Sequence, residues 1–285
     1  MKPARLDQSL CDACGLCMTV CGRGMFFESD GVIEYRPGET CLDCGHCLAV
    51  CPEGALVHAG GDVPPPVEEE IFPDADTLLH LMRSRRSCRL YRKGAPPRGL
   101  LERLVEAARY APTGSNRQAV NLVFVTDPGL IDVMRTKIMD RYGDYERHLN
   151  NPVKRVFLKY VVDRRLGSPK IRGFLKTFMD SWRGGRDVLF HGAPAVALLY
   201  AGPDASTPRD DCCIALYQMV LLAERLGLGS CLLGTVDTIF SRTRGMNELV
   251  GIPRGRPVLA AASFGLPAIR FHRLAARKEL SVTWH

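Results

Sequence analysis

Apolar residues recur every three or four positions in several segments after residue 74, which is the spacing of amphipathic helices. Short apolar runs bounded by turn signals lie between these segments and predict buried strands. Residues 211–226 are apolar nearly all round, which predicts a buried central helix. Because helices and strands intermix, this part of the chain is expected to be α/β or α+β and not a helical bundle. The predicted helices are 75–83, 97–110, 128–140 and 211–226, and the predicted strands are 121–125, 195–200 and 257–263.

The first sixty residues contain two copies of one short unit. The run C-D-A-C-G-L-C-M-T-V-C begins at Cys11, and C-L-D-C-G-H-C-L-A-V-C-P begins at Cys41 with the same spacing. Between them, two short apolar stretches flank Asp30-Gly31, a dipeptide typical of hairpin turns. The proline run that follows, near residue 65, favours an extended connector. We therefore predict a domain at 1–60, a Pro/Gly linker at 61–74 and a second domain at 75–285.

Eight of the twelve cysteines lie between positions 11 and 51. The first residues lack the apolar stretch of a signal peptide, and in such a chain this crowding indicates metal binding and not disulfides. Zinc is usually held by two separated cysteine pairs, so the repeated rhythm favours iron–sulfur clusters, with zinc as the alternative. Three cysteines in so short a loop can surround only one corner of a cubane cluster. The other four cysteines are predicted to be small buried apolar residues, and they are Cys88, Cys212, Cys213 and Cys231.

Residues 5–58 resemble the two-cluster bacterial ferredoxins, both in the cysteine runs and in the C-P-E-G-A-L that ends the second run. In that pattern the fourth cysteine of each run binds the cluster of the other run. The resemblance therefore implies two 4Fe–4S clusters. It assigns Cys11, Cys14, Cys17 and Cys51 to the first cluster, and Cys21, Cys41, Cys44 and Cys47 to the second.

Four short motifs mark the second domain. R-R-S-C-R at 85–89 offers the forked donors that a phosphate monoester needs. A polar turn, A-P-T-G-S-N-R-Q, follows at 111–118, and a glycine-rich turn lies at 227–234. F-G-L-P-A at 264–268 closes a strand, and Arg277 lies beyond it. The order and spacing of these motifs resemble the nitroreductase family of flavin enzymes over about residues 77–285.

That second resemblance implies bound FMN, a homodimer and a mixed sheet with surrounding helices. It places Asn116 at the polar edge of the flavin ring and brings the backbone at Leu233 and Gly234 close to the flavin. No side chain is assigned a catalytic role, because the flavin carries the chemistry. The resemblance implies these further cofactor contacts: Arg85, Arg86, Ser87, Arg89 and Arg277 toward the phosphate and ribityl chain, and Thr113, Gly114 and Ser115 beside Asn116.

Together the two resemblances predict an α+β protein in which a ferredoxin-like domain precedes a nitroreductase-like domain. Electrons would pass from two 4Fe–4S clusters to FMN and then to a small organic acceptor such as a nitro compound. A low-potential protein is a candidate electron donor. One alternative is an electron-transfer module that serves a partner protein and has no small substrate. Another is a flavin-consuming or dehalogenating relative.

Charge and apolar length limit the remaining function classes. The net charge of +7 divides into −4 for residues 1–60, with four Lys/Arg and eight Asp/Glu, and +11 for the remainder. Such a division suits docking of an acidic module on a basic one, and no nucleic-acid-binding motif accompanies the basic charge. The basic segment 129–190 is either a variable cover over the flavin, as in the family, or a set of solvated helices.

The longest apolar segments are about ten residues, too short for a bilayer span of ~20. We therefore expect a cytoplasmic protein that binds neither membrane nor nucleic acid.

Overall fold

A computed structural model describes residues 3–36, 38–58, 63–154, 156 and 168–285. The chain forms two compact units, Met1–Asp74 with Thr113–Arg117, and Ala75–Pro112 with Gln118–His285. The start of the predicted linker, at 61–62, lies outside the described residues, as do 155 and 157–167 of the basic segment. The short segment Thr113–Arg117 groups with the first unit, whereas the sequence places it inside the second domain.

The first unit contains two short antiparallel ladders and two single-turn helices. The hairpin turn is confirmed: Ser29 pairs with Val32, and Asp30 and Gly31 between them both have positive φ, as a type I′ turn requires. The elements are β1 Pro3–Leu6 paired with β4 Leu56–His58, β2 Phe26–Ser29 paired with β3 Val32–Tyr35, and the helices α1 Leu16–Val20 and α2 His46–Val50.

The repeated sequence folds as a repeated backbone. Three equivalent positions in each copy adopt the left-handed conformation, with φ values that agree to within two degrees. The two cysteine loops therefore have the same local shape. The pairs are Ala13 and Asp43 at 55° and 53°, Gly15 and Gly45 at 73° and 74°, and Gly24 and Gly54 at 62° and 60°.

The apolar core of the first unit is small. Five buried side chains form its main cluster in the described part of the unit, and six of the cysteines pack around them; Ala55 and Val57 are also buried. Domains with so few buried side chains usually need disulfides or bound metal in order to fold. Metal ligation by the cysteines would supply that stabilisation. The five core residues are Met25, Phe26, Ile33, Leu48 and Leu56.

The second unit is built on a four-stranded antiparallel sheet in the order β5-β6-β8-β7. The two central strands are buried on both faces. Side chains of β6 alternate between two cores, with Ala197 and Leu199 in one and Val196 and Leu198 in the other, as the two-residue period of a strand requires. The strands are β5 Val120–Val125, β6 Ala195–Ala201, β7 Gly229–Leu232 and β8 Ala260–Gly265.

Helices cover both faces of this sheet. Residues of α4 and α7 contribute to one core, and residues of α5, α6, α8 and α9 contribute to the other. The mixed α+β architecture is confirmed. No helix in the described ranges is both long and apolar enough to cross a bilayer. The helices are α3 Ala75–Ser84, α4 Arg98–Arg109, α5 Pro128–Asn150, α6 Pro169–Arg183, α7 Pro208–Arg225, α8 Gly234–Ile239 and α9 Met246–Leu249.

Several predicted elements differ from the observed ones. The helix predicted to end at 140 continues to Asn150, because Gly143 and Leu149 extend its buried face. The last strand lies at 260–265 and not at 257–263. The glycine-rich segment 227–234 was expected to be a turn, but its centre is β7, since pairing with β8 satisfies its backbone.

The helix predicted to be buried all round is α7, and that prediction is wrong on one face. Ile214 and Tyr217 are each 41% exposed. Cys213 is exposed too, so the prediction that it is buried is wrong. Cys88, Cys212 and Cys231 are buried as expected. Periodicity could not show this, because apolar residues on the exposed face of α7 resemble those on its core face.

Candidate functional site

The first unit contains a cavity of about 220 Å³ that is lined by four cysteines. Three of them come from the second cysteine run, and one comes from the end of the first run. This combination is the ligand set that the ferredoxin resemblance implies for the second cluster. The four are Cys21, Cys41, Cys44 and Cys47, and Met25, Phe26 and Tyr35 also line the cavity.

Burial and neighbouring thiols raise the pKa of one cysteine in each run. Burial raises the pKa of the Cys47 thiol to about 11, and the nearby charges of Cys44 and Cys21 add to that effect. Burial likewise raises the pKa of Cys17, with smaller contributions from Cys11 and Cys14. The structure thus brings the first three cysteines of each run together. The placement of Cys51 with the first run stays a prediction.

Backbone N–H groups point at the fourth cysteine of each run. The Met25 N–H donates to Cys21 Sγ at 3.4 Å, and the Ala55 N–H donates to Cys51 Sγ at 3.3 Å. The two bonds occupy equivalent positions in the repeats. Hydrogen bonds to ligand sulfur orient the ligands of iron–sulfur centres and adjust their potentials.

The chemistry of this donor set fits iron–sulfur clusters. The cavity presents four thiols, which as thiolates are the usual cluster ligands, in a small and largely apolar surround. In the described part of the chain, no three His, Cys, Asp or Glu side chains converge as a single metal ion would require. The four cysteines surround a space and do not meet at one point.

In the second unit, the arginine-rich segment 85–89 lies beside the edge strand β7. The Cys88 N–H donates to the Ser230 carbonyl at 2.8 Å, and the Arg92 N–H donates to the Leu266 carbonyl at 2.8 Å. Gly229 permits this close approach, because a Cβ there would lie 2.7 Å from the Cβ and Sγ of Cys88. The sheet edge therefore fixes the path of the segment.

Two guanidinium nitrogens in this segment are buried and have no partner in the part of the chain that the structure describes. Arg85 Nε and Arg86 Nη2 have no hydrogen-bond acceptor among the described residues. Arg86 Nη1 donates to the carbonyls of Arg83 and Arg85, both at 2.7 Å, so that side chain is held in place. Buried charged donors without acceptors are costly, and an anionic oxygen would satisfy them. These residues fit a phosphate such as that of FMN.

A basic cavity of about 780 Å³ opens beside Arg86. Its size lies within the range of about 300–1,000 Å³ that is typical of small-molecule sites. Arg277 lies on a separate cavity of about 400 Å³ that Arg83 also lines. The structure thus places Arg277 near the end of α3. The charged and basic lining residues of the larger cavity are His80, Arg86, Arg92, Glu224, Arg270, His272 and Arg273.

Two further flavin candidates of the second unit, Leu233 and Gly234, directly follow β7. Leu233 is buried, its N–H donates to the Ala261 carbonyl at 2.8 Å, and α8 begins at Gly234. Arg89 influences His191, whose pKa is lowered first by burial and then by the charge of Arg89. His191 has φ of 60°, an uncommon conformation for a residue other than glycine. No sequence pattern marks His191 as a site residue.

A partly buried aspartate, Asp187, holds the backbone next to His191. The Asp187 carboxylate accepts the N–H groups of Phe190 and Gly192, both at 2.9 Å, and an Arg135 guanidinium donor at 3.0 Å. Burial raises the pKa of Asp187, but these hydrogen bonds outweigh burial and hold the pKa below its ordinary value. No local pattern predicts this contact, because Arg135 and Asp187 are 52 residues apart in the chain.

Thr113–Asn116 form part of the first unit. The Asn116 Nδ2 donates to the Asp43 carbonyl at 2.7 Å and to the Leu42 carbonyl at 3.3 Å. Ser115 and Asn116 both have positive φ, 53° and 51°. The nitroreductase resemblance implies a flavin contact for Asn116, whereas the structure places its amide on the loop between Cys41 and Cys44.

Comparison with known proteins agrees with both units. Residues 82–266 match the family model of the nitroreductase family, and residues 10–56 match that of the 4Fe-4S dicluster domain. Among solved structures, an FMN-bound nitroreductase from Bacteroides fragilis NCTC 9343 is 18% identical with a TM-score of 0.54, and the match covers 73% of this chain and 98% of that one. An FMN-bound nitroreductase from Desulfitobacterium hafniense DCB-2 is 23% identical with a TM-score of 0.54, covering 73% and 97%.

A third solved structure comes from a differently named enzyme with the same fold. Iodotyrosine deiodinase bound to FMN and 3-iodo-L-tyrosine is 22% identical with a TM-score of 0.51, and the match covers 73% of this chain and 98% of that one. At these identities the structures establish the fold, while the family model spans more than half of the sequence. The chain is therefore a member of the nitroreductase family that carries a 4Fe-4S dicluster domain ahead of its nitroreductase domain.

Proposed function

We propose that this protein is an oxidoreductase that accepts electrons at two 4Fe–4S clusters and delivers them through FMN to a small organic acceptor. The observation that carries the proposal is the presence of two complementary sites in one chain. The first unit has a cavity lined by four cysteines. The second unit has buried arginine donors that lack acceptors among the residues that the structure describes, and one of these arginines, Arg86, lines a ligand-sized cavity. Neither site alone could both supply single electrons and bind the flavin that receives them.

The cysteines would hold the clusters in the crossed arrangement of the ferredoxin pattern. The cavity supports this arrangement for the second set, since a cysteine of the first run lines it with three of the second. The N–H groups of Met25 and Ala55 would fix the orientation of one ligand in each set. The sets are Cys11, Cys14, Cys17 and Cys51, and Cys21, Cys41, Cys44 and Cys47.

Arg85 and Arg86 would bind the FMN phosphate through the buried donors that have no acceptor within the described ranges of the chain. When bound, FMN can exchange electrons singly or in pairs, which would match iron–sulfur donors to a two-electron acceptor. The chain itself supplies position, positive charge and access. No nucleophile or general base is required of it. Ser87, Arg89, Leu233, Gly234 and Arg277 are the further candidate contacts.

We also propose a homodimer. Apolar side chains remain exposed on two helices of the second unit, and a partner chain would bury them. Sedimentation equilibrium over a range of concentrations tests this, and a monomer at all of them would contradict it. The exposed residues are Leu78, Leu79 and Met82 on α3, and Ile214 and Tyr217 on α7.

The electron route can be tested by rapid mixing of anaerobically purified protein with a low-potential reductant. We expect cluster bleaching to precede flavin reduction, with a flavin rate that does not depend on protein concentration, since both sites belong to one chain. The matched variant is Cys44→Ser, which should slow flavin reduction by reductants that enter through the clusters. Flavin reduction that is second order in protein would contradict the proposed route.

The acceptor is tested by reoxidation of the reduced protein with nitroaromatic and halogenated aromatic compounds. Reoxidation by nitro compounds with stoichiometric product supports the proposal. Reoxidation by halogenated compounds with halide release would instead support a dehalogenating role, the chemistry suggested by the deiodinase of similar fold. Reoxidation only by electron-transfer proteins would support the alternative of a module without a small substrate.

A further inference from the structure

The two cysteine loops have the same backbone but different surroundings. Positive φ at Ala13 and Asp43 gives both loops the same bend between the first and second cysteine. In the first loop, the Asp12 carboxylate accepts the Cys14 N–H at 3.1 Å, a contact within the loop itself. In the second loop the equivalent position is Leu42, which has no polar side chain. The second loop is instead contacted from outside.

The outside contact is the amide of Asn116. Its Nδ2 donates to both carbonyls between Cys41 and Cys44, those of Leu42 and Asp43. The donor is 73 residues from Asp43 in sequence but belongs to the same compact unit. One amide thus contacts the carbonyls of both residues that lie between Cys41 and Cys44, two of the cysteines that line the cavity.

The backbone around Asn116 is adapted to this contact. Ser115, Asn116 and Gln118 all have positive φ, between 49° and 53°. Asparagine tolerates this conformation better than most residues other than glycine. Such conformations persist where surrounding contacts hold them, and here a pair of hydrogen bonds holds the side chain of Asn116.

We propose that Asn116 is a positioning residue of the second cluster, one that fixes the Cys41–Cys44 loop and favours the reduced form. The inference rests on the proposed function, which supplies the two clusters. Reduction adds negative charge to a cluster, and the N–H groups of the amide direct the positive end of a dipole at its loop. Loss of the amide therefore makes the second cluster harder to reduce and leaves the first unchanged.

The experiment uses full-length, anaerobically prepared protein and two variants that suit a left-handed backbone. Asn116→Gly removes the amide, and Asn116→Asp keeps the shape, removes both donors and adds negative charge. The matched control is Asn121→Asp. Asn121 lies on β5, and its side-chain amide donates to the Ala119 carbonyl at 3.0 Å. Redox titration followed by electron paramagnetic resonance measures each cluster. The signal that survives in Cys14→Ser identifies the second cluster.

We expect the ratio of reduced to oxidised second cluster at a fixed potential to fall about three- to tenfold in Asn116→Gly, the worth of one ordinary hydrogen bond. This ratio should fall further in Asn116→Asp, and in Asn121→Asp it should match the wild-type ratio. Selective loss of the second cluster from both Asn116 variants would also support the proposal.

Three results would overturn the inference. These are unchanged potentials in both Asn116 variants, equal shifts of both clusters, or loss of FMN with both clusters unaffected. The last result would make Asn116 a flavin ligand, as the family resemblance implies. A wild-type protein without two cluster signals would contradict the proposed function itself, so the two failures are distinguishable.

Discussion

The two units build their candidate sites in opposite ways. In the first unit, all eight cysteines come from two runs within about forty residues, and each run folds into the same local loop. In the second unit, the candidate residues extend from Arg85 to Arg277, and the structure distributes them over the segment beside β7, the start of α8 and a separate cavity near the end of α3. Metal ligands are individually indispensable, whereas hydrogen-bond donors share the binding energy. Substitutions should therefore act in an all-or-none manner in the first site and in a graded manner in the second.

The largest effect is expected from Cys44→Ser. The wild type should contain about eight irons and eight acid-labile sulfides per chain, from two four-iron clusters. Cys44→Ser should retain about half of the iron, because serine oxygen replaces thiolate poorly and no buried cysteine of the second unit can substitute. Iron and sulfide assays measure this. The control is Cys213→Ser, on the exposed face of α7, which should keep the wild-type content.

Full iron in Cys44→Ser would show that the cavity cysteines are not all ligands. One or two zinc ions without iron in the anaerobic wild type would support the zinc alternative. Either result would contradict the expectation that substitutions in the first site act in an all-or-none manner.

A graded loss is expected from Arg85→Ala and from Arg89→Ala. A charged hydrogen bond is worth about 1.5–3 kcal/mol, so each variant should bind FMN about ten- to a hundredfold more weakly. Fluorescence titration of the apoprotein with FMN measures the dissociation constant. Arg98→Ala is the matched control, because Arg98 is 91% exposed and pairs with Glu102 within α4. Equal affinity in all three variants would place the phosphate elsewhere.

A smaller effect, on stability, is expected from Asp187→Asn. The change removes charged hydrogen bonds from a partly buried carboxylate and should lower the free energy of unfolding by about 3 kcal/mol. The pKa of Asp187 lies below its ordinary value of 3.8 in the folded protein, so its charge stabilises the fold above that pH. That contribution is lost as the pH falls through the folded-state pKa.

Urea unfolding at several pH values tests both parts of this prediction. The difference between wild type and Asp187→Asn should be constant near neutral pH and should shrink below about pH 4. A difference that persists unchanged at low pH would show that the charge of Asp187 is not what stabilises the loop. Asp204→Asn, at a solvent-exposed position, serves as the control.

The smallest effect is expected from Gly229→Ala. The added Cβ would lie 2.7 Å from the Cβ and Sγ of Cys88 and should push the arginine segment away from β7. Overpacking of this kind costs about 1–3 kcal/mol, and FMN affinity should fall with stability. Thermal unfolding and FMN titration measure the two effects. Gly99→Ala is the control, since a Cβ at Gly99 meets no atom within 4 Å. Equal stability of both variants would show that the segment tolerates displacement.

The sequence predicted the first unit in more detail than the second for a physical reason. Cysteine spacing within a run fixes which thiols can share a corner of a cluster, and a Gly or Asp-Gly at a given position fixes the turn. The hairpin at Asp30 and Gly31 and the repeated loop shape both follow from such local rules. The small core requires little information beyond these rules, because its main cluster has five buried side chains in the described part of the unit.

The second unit depends on contacts that the sequence does not display. The segment 227–234 contains enough glycine to predict a turn, yet pairing with β8 makes it a strand, and that strand fixes the path of the arginine segment. Cys213 is as apolar as Cys212, and only the orientation of α7 leaves it exposed. Residues 169–183 were not predicted as a helix, although α6 buries Leu175 and Phe178 there.

The sequence by itself determined the family resemblance, the α+β class, the thiol set and the arginine-rich motif, because each depends on residue type and short-range spacing. Cys21 was already assigned to the second set by the ferredoxin resemblance, and the tertiary structure brings it to a cavity lined by the loop that begins twenty residues later. The tertiary structure decided that Asn116 contacts the Cys41–Cys44 loop. Hydrogen bonds between distant segments form only when the intervening chain has folded, so no local pattern in either segment could have predicted them.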